Sequence, residues 1–383
     1  MRLNFCVVFL LLTIALTHSA TAKDILVPDD YPTIGEAMDA ADLGDSVYVM
    51  PGTYNERIEI KEGVNLISFA GDDGNDLVDG PGNKKVLKRT LRTIIDGSDI
   101  KTPGYLISFP QESRASMRLD GFTIRNMPNY GPKTLLFLVE IRGCSPEVVN
   151  NIVTGNRSWG GVLSTGLGIG MGPPLETEAM PVISNNVIYD NAGSGISNGS
   201  NSAALITDNE MFENKFPGAV GEEQVAAGIG MREYARPVID NNVCYRNGSG
   251  IGALNLDSHD QALIIRNNIL YNNIRAGIGL RAISSGKNNV KTVIENNKIY
   301  GNLDAGMRIS KLDSVVIKYN TIFDNGTSGL TFFNVENVII EDNEIYGNLT
   351  TGVRLLDVRA AAVRRNQIYQ NVPDGIDFIG WAR

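Results

Sequence analysis

From residue 151 to its end, this 383-residue chain repeats one Asn-bearing block nine times. The first Asn of each block is Asn151, Asn186, Asn209, Asn242, Asn268, Asn297, Asn320, Asn343 and Asn366, at spacings of 35, 23, 33, 26, 29, 23, 23 and 23 residues. A second Asn stands five residues after each, from Asn156 to Asn371. A unit of this length is too short for a pair of helices, and its apolar residues alternate as in a strand. Two residues after the first Asn runs an apolar column, Val153, Ile188, Met211, Cys244, Leu270, Ile299, Ile322, Ile345 and Ile368. The next position holds Thr154 and then eight aromatic residues from Tyr189 to Tyr369. One coil cannot bury such a column alone, whereas coils stacked in register can. The repeat therefore predicts an all-β parallel β-helix, with Asn ladders at the turns and an aromatic stack outside.

Upstream, Ser46–Met50, Val64–Ser68, Thr93–Ile95, Tyr105–Phe109, Leu119–Arg125 and Leu135–Ile141 read as further strands broken by Gly and Pro. Between Pro32 and Ala41, the apolar residues Ile34, Ala37, Met38 and Ala41 form one helical face, which predicts a helix capping the N-terminal end of the solenoid. Before all of this, Arg2, the apolar run Phe5–Leu16 and Ala20-Thr21-Ala22 have the pattern of a secretory signal ending at residue 22. The expected organisation is a leader over residues 1–22 and a single solenoid domain over residues 23–383, with regular Asn-ladder coils from residue 146.

The chain carries 38 Asn and 41 Gly, about a fifth of its length, as turning at every coil requires. With 34 basic against 43 acidic residues, its net charge of −9 argues against a nucleic-acid partner. One N-terminal apolar run argues against membrane residence once a leader is removed. The cysteines left after the leader, Cys144 and Cys244, make no disulfide framework; Cys244 lies in the inward column as a buried hydrophobe. A secreted or periplasmic monomer is expected. The loop Gly71-Asp-Asp-Gly-Asn-Asp76 offers oxygen ligands for Ca2+ but no recognisable calcium spacing, so no metal ligand is assigned.

The stretch from Ile34 to Asp45, the following Pro51-Gly-Thr-Tyr-Asn-Glu56 and the Asn-rich coils resemble the pectin-lyase-like superfamily of single-stranded right-handed parallel β-helices. That resemblance spans essentially the whole chain after the leader. It implies a fold more than a chemistry, because lyases, hydrolases, epimerases and proteins without activity share this scaffold.

Function in a solenoid concentrates where the repeat is decorated. The coils beginning at Asn151, Asn209, Asn242 and Asn268 exceed the 23-residue unit by 12, 10, 3 and 6 residues. Their extra residues flank a short strand expected to open at Gly168, Gly228, Gly250 and Gly277. Alternation then points Gly170, Gly230, Gly252 and Gly279 outward, with Arg232, Arg281 and Arg308 nearby and Trp159 on a wall. Arg forks suit carboxylates, so an acidic polysaccharide is the expected guest. Pairing of these arginines with Glu233, Asp257 or Asp260 for solubility is the alternative.

The one histidine after the leader, His259, lies in Asp257-Ser-His259-Asp260 and precedes Ile264-Ile-Arg-Asn-Asn268. The segment resembles the Asp-Pro-His motif of mannuronan C5-epimerases. This implies proton transfer by His259 with Asp257, and Glu233 is a further candidate acid or base. Ser258 replaces the motif's proline, and Leu254 stands where that family has a catalytic tyrosine. The expected function is a carbohydrate-active protein, a lyase or C5-epimerase acting on a uronate-containing polysaccharide. The alternative is a non-catalytic glycan-binding or scaffold protein, including the periplasmic copper-maturation type.

Overall fold

The computed structural model describes residues 21–131, 136–158, 160–165, 178–199, 201–215, 226–257, 262–283 and 291–380. Three long parallel sheets build it. Sheet A has 13 strands, from Asp24–Val27 to Ala360–Arg364. Sheet B has 12, from Gly52–Tyr54 to Gln367–Tyr369, and sheet C has 12, from Ile58–Glu59 to Ile376–Ile379. The chain visits A, B and C once per coil, and each strand pairs with its counterpart one coil away, as Ile299 does with Leu270 and Ile322. The expected parallel β-helix is observed.

The inward column is dry from Val153 to Ile345, every member being fully buried. Outside it, the rings from Tyr189 to Tyr369 stack at centroid spacings of 4.8–5.1 Å, within 10° of parallel. Both Asn ladders form. Asn297 Nδ2 donates to Asn320 Oδ1 one coil on and to the Ile265 and Glu295 carbonyls, each at 3.0 Å. The residue before each first Asn turns the chain with a φ of 54–59°, a left-handed conformation that Asn and Asp tolerate best. Seven of these nine positions are Asn or Asp; Tyr319 and Arg365 are not. Replacing Tyr319, which is exposed, by Asn is expected to raise stability by about 0.5–1 kcal/mol, as a shift in the urea midpoint at unchanged slope.

The predicted cap is helix α1, Ile34–Ala40, with Ile34, Ala37 and Met38 buried against the first coils. Thr33 accepts a hydrogen bond from the Glu36 N–H at 3.1 Å, and Glu56 accepts from the Ile34 and Gly35 N–H groups. Three upstream expectations need correction. Leu119–Arg125 is two strands, Arg118–Asp120 in sheet A and Thr123–Arg125 in sheet B, because Gly121 turns between them at φ 83°. The strand expected at Tyr105–Phe109 shortens to Ile107–Ser108, and the one at Leu135–Ile141 is Val139–Arg142.

An unforeseen arm interrupts the early coils. Leu77–Asp79 and Lys85–Leu87 form an antiparallel hairpin, followed by the short helix α2, Lys88–Arg92. The hairpin tip lies over sheet B, where the Asn83 and Lys84 N–H groups each donate to the Glu210 carboxylate at 2.8 Å. Val86 packs with Phe212 and Tyr245. At the base of the arm, Arg89 is buried on Asp120 at 2.7 Å, while Lys88 and Arg92 engage Asp73. These two cations hold the Asp73 carboxyl below its usual range. The oxygen-rich loop is thereby tied to its own neighbours. Among the described residues no helix is long and apolar enough to cross a membrane, and residues 1–20, nearly all of the expected leader, lie outside them.

Candidate functional site

Strand alternation on sheet C sets the site. Its first outward column reads Glu140, Leu163, Ser197, Gly230, Gly252, Gly279, Arg308, Thr331, Arg354 and Asp377, one residue per coil. Two residues further along, Arg232 pairs in register with Leu254, and Arg281 with Ser310, Phe333 and Leu356. Between these columns Met231, Ala253, Leu280 and Ile309 point into the core. A groove of about 690 Å³ lies over the three glycines; its lining includes Arg232, Arg281, Arg308, Arg275 and Lys311. Phe137 and Phe333 also line it. The expected bare floor beneath arginines is therefore present.

Its N-terminal end differs from expectation. The coil from Asn151 supplies Val162–Thr165 to sheet C, opened by Gly161, and this takes the place expected for the strand at Gly168. Residues 168–171 lie outside the described residues. In this coil the extra residues follow the strand, whereas in the coil from Asn209 they precede it, so Leu163 takes the place expected for Gly170. What marks the start of a sheet C strand is a glycine spine: Gly161, Gly195, Gly228, Gly250, Gly277, Gly306, Gly329 and Gly352. A Cβ at any of these would sit 2.5–2.9 Å from the carbonyl oxygen of the glycine one coil on.

Arg232 and Arg281 are both exposed, and among the described residues neither forms an ion pair. Neither pairs with Glu233 or Asp257, and Asp260, the third carboxylate of that alternative, lies outside the described residues. Arg308 contacts Asp304 at 3.6 Å, and Asp304 is the only carboxylate among the described lining residues. Glu233 and Asp257 lie just past the strands Ala227–Arg232 and Ser249–Leu256 and do not line the groove. The Asp257 N–H donates to the Glu233 carbonyl at 3.1 Å. The Asp257 carboxylate meets the Tyr234 hydroxyl, whose pKa is raised first by burial and then by this contact. His259 and Trp159 lie outside the described residues.

Two features escaped the sequence reading. Tyr234 reaches Asp257 across one coil, a proximity no local motif encodes. The other is a polar cluster where the outward column begins. Glu140, only 7% exposed, is ion-paired with Arg142, and Arg142 donates to the Tyr105 hydroxyl at 2.7 Å. Burial raises the Glu140 carboxyl above its usual range, against the opposing pull of Tyr105 and Arg142. Cys144 and Cys244 are free and buried, and burial pushes the Cys144 thiol up to about 11. Neither has the lowered pKa of a reactive thiol. Among the described residues no group of three or more His, Cys, Asp or Glu side chains is placed to hold a metal.

The family model for the right-handed β-helix region matches residues 113–292 and 259–383, together more than half of the chain. The chain belongs to the right-handed β-helix family. Comparison with curated protein sequences finds no match. Several solved β-helix structures are similar. The A-module of the Azotobacter vinelandii mannuronan C-5 epimerase AlgE4 superposes with a TM-score of 0.57 at 19% identity, over 92% of this chain and 99% of that one. A point variant of the periplasmic alginate epimerase AlgG gives 0.54 at 12% identity, over 94% and 83%. The catalytic unit of a Streptomyces thermodiastaticus α-1,3-glucanase gives 0.54 at 15%, over 94% and 69%. At these identities the likeness is one of β-helix fold.

Proposed function

We propose that this β-helix protein acts outside the cytoplasm as a monomer and holds a uronate-containing polysaccharide in the sheet C groove. The observation that carries this reading is that the exposed guanidinium groups of Arg232 and Arg281, which form no ion pair among the described residues, stand above a floor without side chains. On a chain of net charge −9, cations gathered on one groove favour an anionic guest. A carboxylate neutralised by an arginine fork makes the neighbouring ring proton more acidic, the step shared by polyuronate lyases and C5-epimerases. His259 takes that proton in this reading, with Asp257, two residues before it in the sequence, and Glu233 as the further candidates. The carbanion then either regains a proton on the opposite face or expels the glycosidic oxygen to leave a C4–C5 double bond. The similar structures include enzymes named for alginate epimerisation, which supports a uronate substrate.

The test is a panel of alginate, pectate and other polyuronates, with and without Ca2+. It is read as absorbance at 235 nm for unsaturated products and as C5-proton exchange by NMR. The wild type is expected to turn over one of these, and His259→Ala to lose at least 100-fold of that rate, within the range of a general acid–base contribution. Unchanged turnover in His259→Ala would remove the histidine from the mechanism. A second reading, binding without catalysis, is favoured by Leu254, which lines the groove where the resemblance to mannuronan C5-epimerases would place a tyrosine. Tight binding with neither product nor exchange would select it.

A further inference from the structure

The glycines of sheet C fall into two physically different sets. In the spine that opens each strand, a side chain is impossible without moving backbone: a Cβ at Gly277 would lie 2.5 Å from Ile299 Cγ2 and 2.9 Å from the Gly306 carbonyl oxygen. Two residues further on, in the outward column, no backbone atom blocks a side chain, and at Gly279 the space is open. A Cβ at Gly279 meets nothing within 4 Å among the described residues; at Gly252 the nearest atom is Ala227 Cβ at 3.3 Å and at Gly230 it is Ser194 Oγ at 3.0 Å, close approaches that a small side-chain shift would relieve. None of the three has a positive φ, so backbone conformation does not call for glycine either. The same column accepts Leu163 and Ser197 on one side and Arg308, Thr331 and Arg354 on the other. Glycine inside a strand weakens it, because it adds backbone entropy to the unfolded chain and packs no side chain. At Gly279 glycine is a cost with no structural return, whereas at Gly230 and Gly252 the close Ser194 Oγ and Ala227 Cβ account for part of the choice.

We infer that Gly230, Gly252 and Gly279 are specificity-determining residues: their bare peptide planes are the platform on which the flat face of a sugar ring of the bound glycan lies. The inference rests on the groove reading above and deepens it by naming the surface that selects ring shape, as distinct from the arginines that select charge. The strip spans two coil spacings of ~4.8 Å, on the order of 10 Å from Gly230 to Gly279. A sugar ring is thick enough that a single branched side chain on the strip would lift it off. Leu254, Ala276 and Ser249 flank the strip, and Arg281 and Arg308 stand at its edge, within reach of substituents on a ring so placed.

The experiment compares the wild type, Gly279→Val and Gly277→Ala by thermal unfolding and by binding to a glycan panel containing polyuronates and neutral polysaccharides. Gly279→Val is expected to melt at or above the wild-type temperature and to bind its glycan at least tenfold more weakly. Gly277→Ala is expected to melt well below the wild type. If Gly279→Val binds a polyuronate as tightly as the wild type, the platform is overturned while the groove reading stands. If the wild type binds only neutral glycans and Gly279→Val loses them, the platform stands and the charge reading falls. If the wild type binds no glycan of either kind, both are overturned. A Gly279→Val melting temperature lowered as far as that of Gly277→Ala makes Gly279 a structural glycine and also ends the inference.

Discussion

Asn297→Ala is expected to destabilise the protein by about 3–5 kcal/mol, the sum of several buried hydrogen-bonding groups left without partners. Asn297 is 2% exposed. Its Oδ1 accepts from the Asn268 N–H at 2.9 Å and from Asn268 Nδ2 at 3.0 Å, and its Nδ2 serves two carbonyls and the next Asn. Alanine removes all five bonds and leaves no route for water to replace them. Each Asn of the ladder also orients its neighbour's amide, so the damage spreads to adjacent coils. The same substitution at Asn366, in the last ladder position, is expected to cost only about 1 kcal/mol, because that amide is part-buried and solvent can take over its partners. Urea unfolding of the two variants measures the contrast. Equal losses would mean that the ladder is a row of independent caps and not a coupled array.

The double variant Arg232→Ala/Arg281→Ala is expected to weaken polyuronate binding by roughly 100-fold or more, each charge-assisted contact being worth about 1.5–3 kcal/mol. Since neither guanidinium is ion-paired among the described residues, removing both leaves no buried carboxylate stranded, and the melting temperature is expected to hold. Arg308→Ala should cost less, because Asp304 at 3.6 Å already competes for that guanidinium. Titration calorimetry with an oligouronate at two salt concentrations tests this: wild-type affinity falls as salt rises, while the double variant is nearly insensitive. A double variant that retains wild-type affinity and salt dependence would locate the anion site elsewhere.

The parts of the fold legible in the sequence are those in which one residue type does one job per coil. Asn at the turns, aliphatic residues inward and rings outside recur because every coil solves the same packing problem, so Val153 to Ile345 and Tyr189 to Tyr369 lie where their spacing puts them. The arm between residues 77 and 92 was not legible, since its contacts run to Glu210 and Phe212, more than a hundred residues away. Nor was the glycine spine separable from the glycine floor, because both read as Gly-x-Gly; only the neighbouring coil's carbonyl distinguishes Gly277 from Gly279. Placing the first decorated strand at Gly168 instead of Gly161 has the same origin. An insertion can fall on either side of a strand, and the apolar pair Ile169-x-Met171 fits an inward column better than Val162-x-Ser164, whose second inward residue is a buried serine. The arginines were found because charge on a strand's outward face needs only alternation to be located. Tyr234 beside Asp257 needed the third dimension.

The hairpin tip on Glu210 has a mechanical meaning. A stack of coils joined only to nearest neighbours can come apart under tension one rung at a time, each rung here releasing 23–35 residues of chain. Here Asn83 is fastened to Glu210 and its side chain reaches the hydroxyls of Tyr245 and Tyr271, so the arm is riveted across three successive rungs. Beyond Tyr271 the molecule behaves as a zip. From Glu210 to Tyr271 the arm spans the rungs like a buckle, and the groove glycines Gly230 and Gly252 lie inside that fastened segment.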